Sequence, residues 1–183
     1  MIEISNTETA LLGLLSEQPM YPYQIEQEVK YREMRFWTEL SMSSIYKLLI
    51  KLEKDRLVTC TNEISSGNRL RKLYTISDEG IKYLRLKLEN LLSEPEHIRW
   101  RIDIGTYNST LLTDKKIKEA FKKYRQALEG KIKGYESLLR FLRESNSPSH
   151  RLAIAMRPIY LLKSEIQWID TYLDEYGEIP VNS

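Results

Sequence analysis

The chain has 183 residues, 42% hydrophobic and 30% charged, with a formal net charge of +2. That apolar content suffices for one ordinary domain or two small ones, so disorder is not the default, and near-neutrality excludes any argument from bulk charge for a polyanionic, membrane or acidic partner. A single cysteine, Cys60, excludes an intramolecular disulfide and a cysteine-rich metal site, which fits a reducing compartment.

The sequence contains no run of about eighteen apolar residues, and the opening MIEISNTETALLGLL lacks a basic leader. A soluble, cytoplasmic protein is expected. Charge is unevenly spread: residues 1–40 carry three Lys/Arg against seven Asp/Glu, whereas residues 41–87 carry ten against five. From residue 93 onward the balance is fifteen against thirteen. An attraction to a polyanion would therefore belong to the first half.

In chain order, Asn6 or Thr7 is placed to cap a first helix through TETALLGLLSE, which Gln18-Pro19 ends. A second helix is predicted over 23–32, with Tyr23, Ile25 or Gln24, and Val29 inward and Glu26, Gln27, Glu28 and Lys30 mostly outward. A third runs over 43–54. Ile45, Leu48, Leu49 and Leu52 recur there at three-and-four spacing, leaving Ser43, Ser44, Lys47, Lys51 and Lys54 on the opposite face. Residues 57–76 read as a basic β-hairpin, LVTCTNEI and RLRKLYTI around an SSGN turn closed by Gly67. A fourth helix starts at SDEG, capped by Ser77, with Ile81, Leu84, Leu88 and Leu91 as its stripe.

The composition break at SEPEH, residues 93–97, divides the chain into domains at 1–92 and 93–183. HIRWRIDIGTY beyond it fits either an extended or a helical connector. A long helix follows from Thr113, striped by Ile117, Phe121, Tyr124, Leu128, Tyr135, Leu138 and Leu142. SPSH turns the chain into a last helix bearing Leu152, Ala155, Ile159, Leu162, Ile166, Ile169, Leu173 and Tyr176, with a kink expected at Pro158. Two long helices alone leave part of each stripe uncovered, so a homodimer through these helices is expected. The tail EIPVNS reads as frayed.

Three helices, a hairpin and a helix within about ninety residues is the order of a winged helix-turn-helix domain, in which one helix enters a DNA major groove and the hairpin meets adjacent phosphates. On that order, the candidate DNA contacts are Ser43, Ser44, Tyr46, Lys47 and Lys51 on the third helix and Arg69, Arg71 and Lys72 beyond the hairpin tip. The bland alternatives are a solvated lysine face and cations that blunt an exposed strand edge. Trp100, Tyr107, Tyr135, Tyr160 and Trp168 are candidates for contacts to a small aromatic ligand between subunits, with packing as the plainer role. Trp37 reads as core.

Enzyme readings have little to stand on. His97 and His150 are far apart and outside any metal-spaced cluster, Cys60 sits mid-strand, and no glycine-rich phosphate loop is present. No catalytic residue, metal or cofactor is expected.

ALLGLLSEQPMYPYQIEQEV at 10–29, SSIYKLLIKLEKDRLV at 43–58 and RLRKLYTISDEGIKYL at 69–84 together resemble the PadR family of transcriptional regulators. Three positions depart from the family pattern: Pro22, Ser43 and Arg56 stand where glycine is usual or frequent. Arg56 would be strained if its position requires a left-handed backbone. The resemblance implies a cytoplasmic bacterial repressor or, less often, activator, working as a homodimer on a two-fold symmetric operator. It implies dimerising C-terminal helices of the longer subfamily, some of whose members sense phenolic or other small molecules. The expected fold is thus mainly α, a winged helix-turn-helix domain followed by a long-helix dimerisation domain. The competing reading is a protein-interaction adaptor whose winged helix has lost DNA binding.

Overall fold

Ser5, rather than Asn6 or Thr7, caps the first helix in the computed structural model, which describes residues 3–64, 68 and 70–176. Its hydroxyl accepts from the Glu8 amide at 3.2 Å while the Glu8 carboxylate accepts from the Ser5 amide at 2.7 Å. This reciprocal box satisfies two amide groups that a helix start leaves open. The helix, α1, spans Asn6–Leu15 and buries Leu11, Leu12, Leu14 and Leu15. Helix α2, Pro22–Tyr31, begins on a proline whose missing N–H is no loss in a first turn. Helix α3, Met42–Lys54, is capped by Ser41 and buries Ile45, Leu49 and Leu52, as the apolar spacing requires.

Strands β1, Val58–Ile64, and β2, Leu70–Ile76, form an antiparallel hairpin in which Cys60 faces Tyr74 and Glu63 faces Arg71. The turn at 65–67 with its Gly67, Arg69, the Tyr176 side chain and the 177–183 tail lie outside the described residues. A third piece of sheet was not evident from the sequence. Met20 pairs with Tyr74 through N–H···O bonds of 3.0 and 3.1 Å, tying the chain before α2 to the second hairpin strand.

The joint between α3 and β1 is a tight one. Arg56 is left-handed (φ 60°), its amide donates to the Glu53 carbonyl at 3.0 Å, and the Leu57 amide reaches back to Leu52 at 2.9 Å. These two bonds make a Schellman end, usually built on glycine. The start of α4, Asp78–Ser93, closes over it. The Ser77 hydroxyl donates to the Arg56 carbonyl at 2.8 Å and accepts from the Gly80 amide at 2.9 Å, and the Ser77 amide donates to Leu57 O at 3.0 Å. A Cβ on Gly80 would stand 2.1 Å from the Leu57 carbonyl oxygen, so only glycine fits there.

Helices α1–α4 and the hairpin share one core around Leu11, Leu15, Ile25, Leu49, Leu52 and Leu57. Four expectations about these elements need correction. Glu26, read as an outward residue, is buried because Arg35 supplies a countercharge. Tyr23, read as inward, is exposed, and Trp37, read as core, is 46% exposed. The α4 stripe serves the core only through Leu84; Leu88 and Leu91 are exposed.

The chain divides into two compact units, residues 1–97 and 98–183. In the second, the connector is helical, α5 at Arg101–Tyr107, followed by α6, Asp114–Glu144, and α7, Ser149–Tyr176. Asn146, left-handed at φ 50°, ends α6 with the Ser147 amide on Leu142 O at 2.9 Å, and a short turn leads back into α7. The two long helices meet in two apolar clusters, Phe121, Leu128 and Ile169 in one and Leu138, Leu142 and Ala155 in the other. Tyr124 of α6 donates to Glu165 of α7 at 3.1 Å, and Arg125 pairs with Asp170 at 3.2 Å. Helix α7 continues through Pro158, whose ring removes one backbone donor.

Two substitutions test the α3–β1 joint by urea denaturation. Arg56→Gly should stabilise the protein by about 0.5–1 kcal/mol, the relief of a left-handed side chain less the added chain entropy of glycine. Gly80→Ala should destabilise it by about 2–3 kcal/mol, because the obstacle is a backbone carbonyl rather than a movable side chain.

Candidate nucleic-acid interface

The outer face of α3 carries Ser43, Tyr46, Lys47 and Ile50, with Tyr46 50% exposed and Ile50 61%. The two serines expected there as contacts have different situations. Ser44 is the box partner of Ser41: its hydroxyl accepts from the Ser41 amide at 2.8 Å and it donates to the Ser41 carbonyl at 2.8 Å. Its donor is committed to holding the helix start. Ser43 is solvent-facing, with its hydroxyl 3.1 Å from that of Ser41.

Lys51 is also committed. Its ammonium lies 2.5 Å from Oε1 of Glu8, whose side chain is only 1% exposed. Burial pushes the Glu8 carboxyl up, but the bond from Lys51, the Ser5 amide and the Ser5 hydroxyl together bring it below the usual carboxylate range. The same bond raises the Lys51 ammonium. Removing either partner would leave a charge without its counterion. Lys51 therefore joins α3 to α1 before it can offer anything to an anion.

The other end of α3 is held similarly. Arg35 places one Nη 2.9 Å from both oxygens of Glu26 and donates through Nε to the Leu40 carbonyl at 3.0 Å, just before the Ser41 cap. The Arg35 bond, joined by Lys30, holds the Glu26 carboxyl below its ordinary value. Residues 26 and 35 are too far apart for a local sequence pattern to announce the pair.

Between α3 and the hairpin runs a groove of about 560 Å³. Tyr46 and Ile50 line it from α3, Tyr21 and Tyr23 from the start of α2, and Leu70, Arg71, Lys72 and Tyr74 from β2. Arg71 is exposed, and Lys72 neighbours it on the same strand. The Arg71 guanidinium sits 5.7 Å from the Tyr23 ring centroid and 6.0 Å from that of Tyr21, and the two rings stack 5.7 Å apart at 9°. The Tyr21 hydroxyl donates to Glu63, which pushes the phenol upward and keeps it a donor. Tyr74 is buried, and burial pushes its phenol up to about 12, so it is neutral in the core. The structure thus brings Tyr46, Arg71 and Lys72 around one groove, with Lys47 on the adjoining helix face; Arg69 is outside the described residues. Sequence reasoning missed Tyr21, Tyr23 and Glu63, although the MYPYQ pair of tyrosines was in plain view.

The aromatic candidates of the second unit do not converge within one chain. Trp168 packs on Phe121 and Tyr172, with ring centroids 5.9 and 5.8 Å away. Tyr135 packs instead against the Leu138 and Leu142 cluster. Trp100 precedes α5, and Tyr107 and Tyr160 are largely exposed. Among the described residues no helix is long and apolar enough to cross a membrane, and no group of three or more His, Cys, Asp or Glu could hold a metal ion.

Acid should loosen the first unit in a defined direction. Glu8 and Glu26 both have folded pKa values below their ordinary 4.5. Their contribution is therefore complete above that value and is lost as pH falls through the lower folded values. Urea midpoints measured from pH 6 downward should fall steeply below about pH 4.5, and Glu8→Gln should be less stable at about pH 6 with a flatter acid limb.

The geometry agrees with independent likenesses. Residues 11–86 match the family model described as "Transcriptional regulator PadR-like family". The negative transcriptional regulator PadR of Bacillus subtilis (strain 168) is 24% identical over 172 residues, covering 90% of this chain and 93% of that one. The crystal structure of Bacillus subtilis PadR with p-coumaric acid matches with a TM-score of 0.76 at 20% identity, covering 97% of this chain and 100% of that one. The crystal structure of the same protein with operator DNA matches with a TM-score of 0.74 at 21% identity, covering 91% and 97%. The winged-helix fold with a helical C-terminal region is common to this chain and both crystal structures, and residues 11–86 of this chain match the PadR-like family of transcriptional regulators.

Proposed function

We propose that this chain is a cytoplasmic transcriptional repressor that binds a two-fold symmetric operator as a homodimer, with α3 in the major groove and the β1–β2 hairpin as its wing. The observation that carries this reading is the face shared by α3 and β2. It presents Tyr46, Arg71 and Lys72 around one groove, with Lys47 on the adjoining helix face, in the stretch of the chain with the strong basic excess, ten Lys/Arg against five Asp/Glu over 41–87. Such a surface suits phosphates by charge and base edges by its hydroxyl and ammonium donors. The operator complex of the Bacillus subtilis relative and that relative's description as a negative regulator support the same assignment.

Ser43, Tyr46 and Lys47 are the direct readers in this proposal, with Arg69, Arg71 and Lys72 on phosphates. Ser44 and Lys51 act as supports: one caps α3, the other anchors it to Glu8. The second unit supplies the dimer contact through α6 and α7, whose outward Phe141, Tyr160 and Leu161 are exposed in the single chain. The complex of the Bacillus subtilis relative with p-coumaric acid supports a small aromatic effector, for which Trp100, Tyr107, Tyr135, Tyr160 and Trp168 are the contacts to test. An effector releases the operator if it moves the two α3 helices away from grooves about 34 Å apart.

Fluorescence anisotropy on labelled DNA from upstream of the protein's own gene, against scrambled competitor at two salt concentrations, tests the reading. Wild type should prefer the upstream DNA and weaken steeply with salt. Lys47→Ala and Arg71→Ala should each bind about threefold to tenfold more weakly, with the salt slope reduced by about 0.9 for each phosphate no longer neutralised. Weak binding that is equal for both DNAs, on a selection of genomic fragments as well, would sink it.

A further inference from the structure

Glu63 and Arg71 face each other across the hairpin, the arrangement in which a carboxylate and a guanidinium normally pair. Here they do not. The Glu63 carboxylate instead accepts from the Tyr21 hydroxyl, and the Arg71 guanidinium lies over the stacked rings of Tyr21 and Tyr23. Tyr21 therefore touches both members of the cross-strand pair. Its own backbone is fixed on both sides, by the Met20–Tyr74 bridge before it and by the Gln24 side chain, which accepts from its amide at 2.9 Å.

We propose that Tyr21 is a positioning residue for DNA recognition: its hydroxyl draws the Glu63 carboxylate away from Arg71, and its ring, stacked on Tyr23, seats the freed guanidinium to meet a phosphate. This rests on the DNA-binding reading above. The chemistry favours the arrangement. Stacking occupies the π face of a guanidinium and leaves its edge donors for a bidentate anion, whereas a carboxylate would occupy those same donors. A cation held over aromatic rings also has less freedom to lose when the phosphate arrives. Glu63 in this arrangement is a competitor of the phosphate, restrained by one hydroxyl.

The test removes that hydroxyl and keeps the ring. Tyr21→Phe should weaken upstream-DNA binding about threefold and lower the salt slope by about 0.9, as Arg71→Ala does, because the released carboxylate neutralises Arg71. Adding Glu63→Gln should restore affinity and slope. The gain from Glu63→Gln should be larger in the Tyr21→Phe background than in wild type, which separates restraint of Glu63 from a general loss of negative charge on the wing. Thermal midpoints of all variants control for folding. Without DNA, the Arg71 Nε–H resonance should carry the upfield ring-current shift of a stacked guanidinium in wild type, and Tyr21→Leu with Tyr23→Leu should abolish it.

Wild-type affinity in Tyr21→Phe, or no larger gain from Glu63→Gln in its background, would overturn the role of Tyr21. A wild-type Arg71 resonance unmoved by the double leucine substitution would overturn the seat. Absence of sequence-preferring binding by wild type would overturn the DNA-binding reading and this role with it, and the Arg71 resonance would then report the clamp as a purely structural contact.

Discussion

The angle between α3 and the hairpin depends on three residues, Asp55 to Leu57, in which the chain leaves a helix and enters a strand. The turn draws its hydrogen-bond partners from both sides: Leu52 and Glu53 behind it, Ser77 in front. Gly80 lets α4 approach until a methyl group could not be inserted. Because the Arg56 carbonyl and the Leu57 carbonyl are both bonded to Ser77, the cap of α4 and the end of α3 are one structure. The left-handed Arg56 is a local cost, of order 1 kcal/mol, that the surrounding bonds outweigh.

Electrostatics complete the mounting of α3. The acidic excess of the first forty residues would oppose a polyanion if it lay open to solvent, but much of it is consumed locally. Glu8 takes Lys51, Glu26 takes Arg35 and Lys30, and Glu17 and Glu28 both take Arg32. Glu8 and Glu26 are buried, and each is hydrogen-bonded by a cation as well as near one, the condition under which a buried charge is tolerated. One consequence is a division of labour on α3. Lys51, which the helical wheel groups with Lys47, is bound to the scaffold, so the net field facing outward is narrower than a count of lysines implies.

Periodicity carried the helices, the hairpin and the order of the first unit, since burying an apolar stripe is what these segments must do. Distance in sequence limited the rest. The Ser5 cap was legible in principle, because Glu8 stands three residues on, and Asn6 and Thr7 distracted from it by being good caps themselves. Glu26 was misplaced because its partner Arg35 lies beyond a left-handed Glu33 and inside a short 3-10 turn. Of the α3 face, composition identified the solvent-exposed side of the helix but could not distinguish a lysine that reaches outward from one that reaches back to α1. The tyrosine pair at 21 and 23 gains its meaning only when Met20 joins β2 and brings both rings under Arg71.

The second unit poses the opposite problem: its pattern was readable, yet a stripe does not say what covers it. Helices α6 and α7 enclose two small clusters between them and expose Phe141, Met156, Tyr160, Leu161 and Trp168. A pair of helices has only one mutual seam, so a face of this size exceeds what the pair can enclose and needs another surface to be removed from water. In the proposed homodimer a second copy would supply it with two-fold symmetry, the symmetry that two α3 helices reading one operator would also require. The aromatic residues that fail to meet within one chain are then judged on where a dimer brings them. Within one chain they are dispersed from the start of α5 along α6 and α7, and only the proposed dimer could bring them to a shared site.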